Sequence, residues 1–160
     1  MKRKITSLVL ALLVVFAMLS MTACNDNQGS QDNQGTTLPQ SATMKLVLDA
    51  DSPISYTVEL DKVETDKGVI SILEYLKNEK GLEYESDDSG YGAFLTKVGH
   101  LEQSGNTYIY LYTSVEEDMD VSEYATTIDF VGTTLYSSGV GASEMTIEPN
   151  CIIYIGTVTY

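Results

Sequence analysis

The chain has 160 residues, and its 9 basic residues against 23 acidic residues give a formal net charge of −14 at pH 7. Binding to nucleic acid requires clustered Lys and Arg side chains that contact phosphates, so this charge excludes a nucleic acid partner. His100 is the single histidine, which excludes zinc sites built from several histidines.

The first 24 residues are organised as a bacterial export signal. Residues 2–4 are basic, residues 5–21 are largely apolar, and Ala23 stands directly before Cys24. These are the parts of a secretory signal, and the junction resembles the lipobox of bacterial lipoproteins. That resemblance implies removal of residues 1–23, lipidation of Cys24, and a location at the extracytoplasmic face of the cell membrane. The alternative is an uncleaved helix, because residues 5–23 approach the roughly 20 apolar residues that cross a bilayer.

Residues 24–42 are predicted to be a lipidated cysteine followed by a flexible polar linker. They are mostly Asn, Gln, Gly, Ser, Thr and Asp, and Asp-Asn-Gln-Gly occurs at residues 26–29 and again at 32–35. Without residues 1–23 the chain keeps six lysines against 23 acidic residues, a net charge of −17. With Cys24 lipidated, Cys151 has no disulfide partner, and its apolar neighbours predict a buried, unreactive thiol.

Residues 43–160 are long enough for one domain with a single core. Residues 44–48 and 54–63 alternate between apolar and polar side chains, and Pro53 stands between the two segments. This pattern predicts two strands joined in a hairpin, with Ile54, Tyr56, Val58 and Leu60 on one face.

The period of the hydrophobic residues changes after the hairpin. Residues 69, 72, 73 and 76 are apolar at the spacing of an amphipathic helix. We expect Thr65 or Asp66 to cap the first turn of this helix and Gly81 to end it.

The remaining segments are predicted to be strands separated by turns at residues 87–90 and 104–106. The strands are expected at residues 82–85, 91–98, 107–113, 134–137, 143–147 and 151–159. One helix among these strands predicts an α+β fold in which the helix packs on a mostly antiparallel sheet.

Several of these segments resemble a known family. Residues 69–76 (VISILEYL), 90–95 (GYGAFL), 98–99 (VG) and 139–150 (GVGASEMTIEPN) are similar to the transcobalamin-like C-terminal domain family of exported bacterial proteins. The resemblance covers nearly all of residues 44–160. It implies a β-grasp, ubiquitin-like fold and a small ligand, with a corrinoid (cobalamin-like) molecule as the candidate. Animal cobalamin carriers hold their ligand between such a domain and a helical barrel, so this domain is expected to supply half of that site at most.

The strand predicted at residues 107–113 alternates tyrosines with aliphatic residues. The aliphatic face, Ile109 and Leu111, is expected to face the core, which leaves an exposed stripe of tyrosines. Tyrosines suit planar or sugar ligands and protein partners, and the alternative is ordinary cross-strand packing. The predicted ligand-binding residues are Tyr91, Tyr108, Tyr110 and Tyr112.

The acidic segment at residues 116–120 and the single histidine, His100, are further candidate sites. Residues 116–120 are acidic and offer oxygen ligands to calcium, but the Gly and Glu that an EF-hand loop needs are Val121 and Thr127 here. The alternative is a solvated acidic loop. His100 follows Gly99 without a nucleophile motif, which predicts a surface or capping histidine. We therefore predict no catalytic residue, resident metal or cofactor.

The combined pattern predicts a membrane-anchored lipoprotein whose single domain binds a small ligand without catalysis. The alternative is a structural or adhesion module that docks another cell-surface protein or a glycan. Neither the ligand nor the oligomeric state follows from the sequence.

Overall fold

The computed structural model describes residues 41–160, which contain one α-helix and nine β-strands. The elements are β1 (Thr43–Leu48), β2 (Ile54–Glu59), α1 (Gly68–Lys80), β3 (Tyr84–Ser89), β4 (Gly92–Val98), β5 (Leu101–Glu102), β6 (Thr107–Thr113), β7 (Thr127–Phe130), β8 (Thr133–Ser137) and β9 (Ile152–Thr159). The predicted export signal, Cys24 and the linker up to residue 40 lie outside the described residues. Within residues 41–160, no helix has the length and apolar character needed to cross a membrane.

The strands form two sheets. The large sheet has the order β2-β1-β9-β6-β8-β7, and the small sheet has the order β3-β4-β5. β1 runs parallel to β9, and every other pair among the described strands is antiparallel. A β1–β2 hairpin, a helix and a last strand parallel to the first are the elements of a β-grasp core. The predicted α+β fold with one main helix and mostly antiparallel strands is confirmed.

The core lies between the helix and one face of the large sheet. Leu46 and Leu48 on β1 pair with Ile153 and Ile155 on β9, and all four side chains are 0–1% exposed. The helix buries its predicted apolar stripe against them, consisting of Val69, Ile72, Leu73 and Leu76. Full burial of each such side chain contributes about 1.5–3 kcal/mol, so this contact between helix and sheet accounts for much of the folding free energy.

The two ends of α1 are stabilised differently. Gly81 ends the helix in the left-handed conformation, as predicted, and its N–H donates to the carbonyl oxygens near the helix end. The predicted side-chain cap by Thr65 or Asp66 is wrong, because these residues form a separate 3₁₀ turn and no side chain within residues 41–160 caps the helix. Instead, the Val69 N–H donates to the Ala142 carbonyl oxygen at 2.7 Å.

Gly68 makes this tertiary cap sterically feasible. Its φ is +57°, and a Cβ placed on it would lie 2.5 Å from the Ala142 carbonyl oxygen. A side chain at this position would therefore push the segment containing Ala142 away from the helix.

Most of the strands predicted over long segments are confirmed, but the strand predicted at residues 54–63 ends at Glu59, and Leu60–Lys62 form a 3₁₀ turn instead. Several predictions for short segments are also wrong. The predicted turn at residues 87–90 is wrong in its position, because β3 continues through Asp87 and Asp88 and the turn falls at residues 90–91. Residues 143–147 form no strand, and the short strands β5 and β7 were not predicted. Acidic and short strands lack the apolar alternation that identifies a strand, so pairing with neighbours decides their conformation.

Candidate ligand groove

The side chains of β6 alternate between the two faces of the large sheet, as predicted. Leu111 lies opposite Ile155 and packs with Ile109 against the core, whereas Tyr112 lies opposite Tyr154 on the other face. Tyr108 and Tyr110 share that second face because they are two and four residues from Tyr112. The aliphatic face is therefore the core face.

The tyrosine face is exposed only towards the start of the strand. Tyr108 is 41% exposed, Tyr110 is half-buried, and Tyr112 is only 6% exposed. Tyr112 makes an edge-to-face contact with Tyr154, with ring centroids 6.4 Å apart. The expected exposed stripe is thus confined to Tyr108 and part of Tyr110. Tyr112 instead packs against a neighbouring strand, which was the alternative interpretation of these tyrosines.

A second, small apolar cluster explains the burial of Tyr112. Strand pairing places Val47 and Tyr154 beside it on one side and Ser137 on the other. Val47 and Leu135 on this face are both 0% exposed, and Phe130 contacts Tyr154 with centroids 5.7 Å apart. This face of the sheet is covered at one end and open at the other.

A groove of about 470 Å³ lies between β4 and the first part of β6. Its apolar lining is formed by Ala93 and Leu95 of β4 and by Ile109, Leu111 and Val140. Aromatic side chains stand around it: Phe94, Tyr108, Tyr110, Tyr124 and Tyr160. Gln103, Asp120, Ser137 and Ser138 add polar groups.

Two groove tyrosines are held together through their hydroxyl groups. The Tyr110 and Tyr160 hydroxyls share a hydrogen bond, and the Tyr160 ring also contacts Tyr108 with centroids 6.1 Å apart. The hydrogen bond to Tyr160, together with burial, raises the pKa of Tyr110 to about 12. The hydrogen bond between the two hydroxyls thus favours the protonated phenol of Tyr110.

Tyr91 lies beside the groove but its side chain does not line it. It occupies the turn between β3 and β4, where it is 82% exposed. Its carbonyl oxygen accepts a hydrogen bond from the Gly141 N–H at 3.1 Å, and a Cβ on Gly141 would lie 2.6 Å from that oxygen. Tyr91 thus shapes the groove through its backbone, and the glycines of residues 139–141 allow this close approach of two chain segments.

One residue of the acidic segment at residues 116–120, Asp118, has a structural role. Asp118 is 5% exposed, and its carboxylate accepts hydrogen bonds from the Thr146 N–H at 2.6 Å and from the Thr146 hydroxyl at 3.1 Å. Residues 41–160 hold no group of three or more His, Cys, Asp or Glu residues placed to bind a metal. Asp118 therefore fastens its segment to residue 146, a role that composition alone could not separate from calcium binding.

His100 and Cys151 are placed as the sequence indicated. His100 is exposed, and its Nε2 lies 2.7 Å from the Asp49 carbonyl oxygen. Cys151 is a free cysteine with 3% exposure, and burial raises the pKa of its thiol. A thiol held in its protonated form is a poor nucleophile.

Sequence reasoning missed several residues that line the groove. Phe94, Gln103, Asp120, Tyr124 and Tyr160 come from four separate segments, and no spacing rule connects them. Tyr160 could have been suspected, because it continues the alternation of β9 beside a tyrosine-rich strand.

The solved structures that are similar to this chain share little sequence with it. Haptocorrin in complex with Cbi is 13% identical with a TM-score of 0.49, over 85% of this chain and 27% of the haptocorrin chain. A candidate metal-binding protein from Ruminococcus gnavus is 12% identical with a TM-score of 0.43, over 74% of this chain and 98% of the other. This chain thus spans about a quarter of the haptocorrin chain. No protein-family model matches the sequence, and no curated protein does so.

Proposed function

We propose that the protein binds a small ligand in the aromatic groove, without catalysis, while lipid on Cys24 holds it at the extracytoplasmic face of the membrane. The observation that carries the proposal is the groove itself, in which aromatic side chains surround an apolar floor. The candidate ligand is a corrinoid, the class that the sequence resemblance implies.

The dimensions of the groove suit part of a small molecule. Its volume of about 470 Å³ falls within the range of about 300–1,000 Å³ that small-molecule sites occupy. Aromatic rings offer flat apolar faces with polar ends, which fit a planar ligand that carries polar substituents. A corrinoid has this character, and its remaining surface would extend beyond the groove.

The polar groups of the groove support binding rather than chemistry. The Ser137 hydroxyl accepts from the Thr126 N–H at 3.0 Å, and the Ser138 hydroxyl donates to the Val140 carbonyl oxygen at 2.9 Å. In the part of the chain that the structure describes, neither serine hydroxyl is hydrogen-bonded to a general base, which a serine nucleophile requires. His100 lies outside the groove lining and contacts Asp49.

Titration of the protein with cyanocobalamin, followed by absorbance and by co-elution in gel filtration, tests the proposal. We expect binding by the protein purified in detergent, and a loss of about tenfold in affinity, about 1.4 kcal/mol, for Tyr110→Ala. Tyr136→Ala is the matched control, because Tyr136 is an exposed strand tyrosine outside the groove lining. Equal affinities of the Tyr110→Ala and Tyr136→Ala variants would show that the groove is not the site.

Docking of a surface protein or glycan is the second candidate function. It is favoured by the exposure of the groove rim, where Phe94, Tyr124 and Tyr160 are 52%, 79% and 71% exposed. Large exposed apolar groups that lie together often mark interaction sites. Absence of corrinoid binding, with glycan-array binding that Tyr124→Ala abolishes, would favour this function.

The proposed anchor has its own test. Mass spectrometry of the membrane fraction should find an acylated Cys24 at the start of the processed chain, because two acyl chains give stable membrane attachment. Cys24→Ala should abolish acylation and processing at this junction. Equal processing of the Cys24→Ala and unsubstituted chains would contradict the lipoprotein assignment.

A further inference from the structure

The first half of β6 has one edge without a partner strand in the described part of the chain. β9 pairs with β6 along its full length, from Thr107 to Thr113. On the opposite edge, β8 pairs only with Tyr112 and Thr113. The edge of β6 that borders the groove is therefore open before Tyr112.

The direction of the backbone groups along β6 follows from its hydrogen bonds. The Tyr160 N–H donates to the Asn106 carbonyl oxygen at 3.1 Å, so even-numbered residues direct their polar groups towards β9. Odd-numbered residues use the other edge, where the Leu111 carbonyl oxygen accepts from the Ser138 N–H at 2.8 Å. Ile109 therefore directs both its N–H and its carbonyl oxygen to the open edge.

The open edge is short and consists of the N–H and carbonyl oxygen of Ile109 and the N–H of Leu111. Thr107 exchanges two backbone hydrogen bonds with Ser104, at 2.9 and 3.1 Å, and the Leu111 carbonyl is already occupied. Among the described residues, no hydrogen bond to the backbone of Ile109 is formed. Addition of an extended peptide strand needs several consecutive residues, so this opening fits a single small group.

The chain leaves the sheet opposite Ile109 for an identifiable reason. Continuing the register of β8 would place Val140 opposite Ile109. The Ser138 hydroxyl instead donates to the Val140 carbonyl oxygen at 2.9 Å and accepts from the Val140 N–H at 3.2 Å. The turn at residues 138–140 thus satisfies its own backbone and leaves that of Ile109 facing the groove.

We propose that the backbone of Ile109 binds a primary carboxamide of the ligand. The carboxamide oxygen would accept from the Ile109 N–H, and the carboxamide NH₂ would donate to the Ile109 carbonyl oxygen. This inference rests on the proposed function and names the chemical group that the groove recognises. Peripheral primary carboxamides are present on corrinoids.

A carboxylate does not fit this position. It has two acceptor oxygens and no donor for the Ile109 carbonyl oxygen. Asp120 also lines the groove, and the chain as a whole carries a net charge of −14, so an anionic ligand is repelled. The groove should therefore distinguish an amide from the corresponding acid.

Small fragments test this subsite directly. We expect propionamide, added to the isotope-labelled full chain in detergent, to shift the NMR resonance of the Ile109 N–H and to bind at least tenfold more tightly there than propionate. Equal effects of propionamide and propionate, or no shift at Ile109 with either, would overturn the proposal.

An aspartate variant separates the charge effect from the hydrogen bonds. Asp120→Asn should lower the ratio of propionamide affinity to propionate affinity by about threefold, because it removes the nearby negative charge that repels propionate. Asp66→Asn, at an exposed aspartate outside the groove, makes the same change in net charge and should leave the ratio unchanged. If both variants change the ratio equally, Asp120 does not act within the groove.

Cyanocobalamin and its side-chain monocarboxylic acids separate this inference from the proposed function. If at least one of these acids binds tenfold more weakly than cyanocobalamin, the result supports both the corrinoid-binding function and the carboxamide subsite. Equal binding of all these corrinoids overturns the carboxamide subsite and leaves the binding function intact. Selective binding of propionamide without any corrinoid binding overturns the corrinoid assignment and leaves the subsite intact.

Discussion

The two ends of β6 carry tyrosines on the same face but have different surroundings. Around Tyr112, β6 is paired on both edges, and the side chain is 6% exposed against Tyr154. Around Tyr108, one edge is open and the side chain is 41% exposed beside the groove. The alternation of the sequence determines the face of each tyrosine, and the neighbouring strands determine whether that tyrosine belongs to a core or to a site.

This difference also separates stability from binding. The closed end is covered by fully buried aliphatic residues such as Leu135 and Val47, and it contributes to the folded state. The open end leaves aromatic rings and a backbone edge facing solvent, which costs stability but creates a surface that can bind a ligand. Substitutions at the closed end should therefore mainly lower stability, and substitutions at the open end should mainly lower affinity for the ligand.

Removal of the Tyr112 ring should have the largest effect on stability. We expect Tyr112→Ala to lower the free energy of unfolding by about 3 kcal/mol, because it leaves a cavity beside Tyr154. Tyr108→Ala should cost less than about 1 kcal/mol, because its side chain is partly exposed. Urea denaturation of both variants measures the comparison, and similar losses in the two would contradict it.

The next largest effect is expected at Asp118, which fixes the turn where β8 leaves the open edge. Its backbone carbonyl accepts from the Gly139 N–H at 2.8 Å, while its side chain accepts two hydrogen bonds from Thr146. Asp118→Ala removes the side-chain bonds and leaves the part-buried Thr146 N–H without its acceptor, so we expect a loss of about 2 kcal/mol in unfolding free energy.

Glu117→Ala is the control for Asp118→Ala, because it removes an exposed neighbouring carboxylate. It should change stability by less than about 0.5 kcal/mol. A comparable loss in both variants would indicate that the acidic segment acts through its net charge rather than through the Asp118 hydrogen bonds.

Sequence patterns predicted the closed part of the molecule better than the open part. The spacing of Val69, Ile72, Leu73 and Leu76 indicated the helix, and the alternation in β1, β6 and β9 indicated the strands. In these segments one periodic face meets one core, so local pattern and tertiary structure agree. The cap of α1 was not predictable in this way, because it is the Ala142 carbonyl, 73 residues after Val69 in the sequence.

The groove was only partly predictable for a related reason. Tyr108 and Tyr110 were predicted as ligand-binding residues because they lie on one periodic strand. Both line the groove, and their binding role stays a prediction. The opening beside Ile109 depends on the point where β8 ends and on the hydrogen bonds of Ser138. No periodicity in the sequence encodes such a departure between strands distant in the chain.

A substitution in the turn of the β7–β8 hairpin is expected to raise stability by about 1 kcal/mol. Val131 and Gly132 join β7 to β8 with φ of +48° and +80°, and Val131 is 88% exposed. A β-branched residue is strained at positive φ, whereas Asn-Gly is favoured in such a two-residue turn. Val131→Asn should therefore raise the free energy of unfolding by about 1 kcal/mol.

Val121→Asn is the matched control, because Val121 is 96% exposed and is not among the residues with positive φ. It should leave stability within about 0.5 kcal/mol of the unsubstituted protein. If Val131→Asn slows hydrogen exchange only in β7 and β8 without raising global stability, this hairpin opens separately from the closed end.

The smallest effect is expected at Tyr110, between the two ends, and only at high pH. Its pKa in the folded state is raised to about 12, above an unperturbed tyrosine value of about 10. Between these values the folded protein binds the proton more tightly than the unfolded chain, so the contribution to stability is complete below pH 10 and is lost as the pH rises to about 12. Tyr110→Phe lacks this group, so its stability should fall less over that interval than that of the unsubstituted protein.

Urea midpoints measured across the interval, with Tyr136→Phe as the control, test this expectation. Parallel loss of stability in the unsubstituted protein and Tyr110→Phe would mean that the hydrogen bond to Tyr160 does not hold the Tyr110 proton in solution.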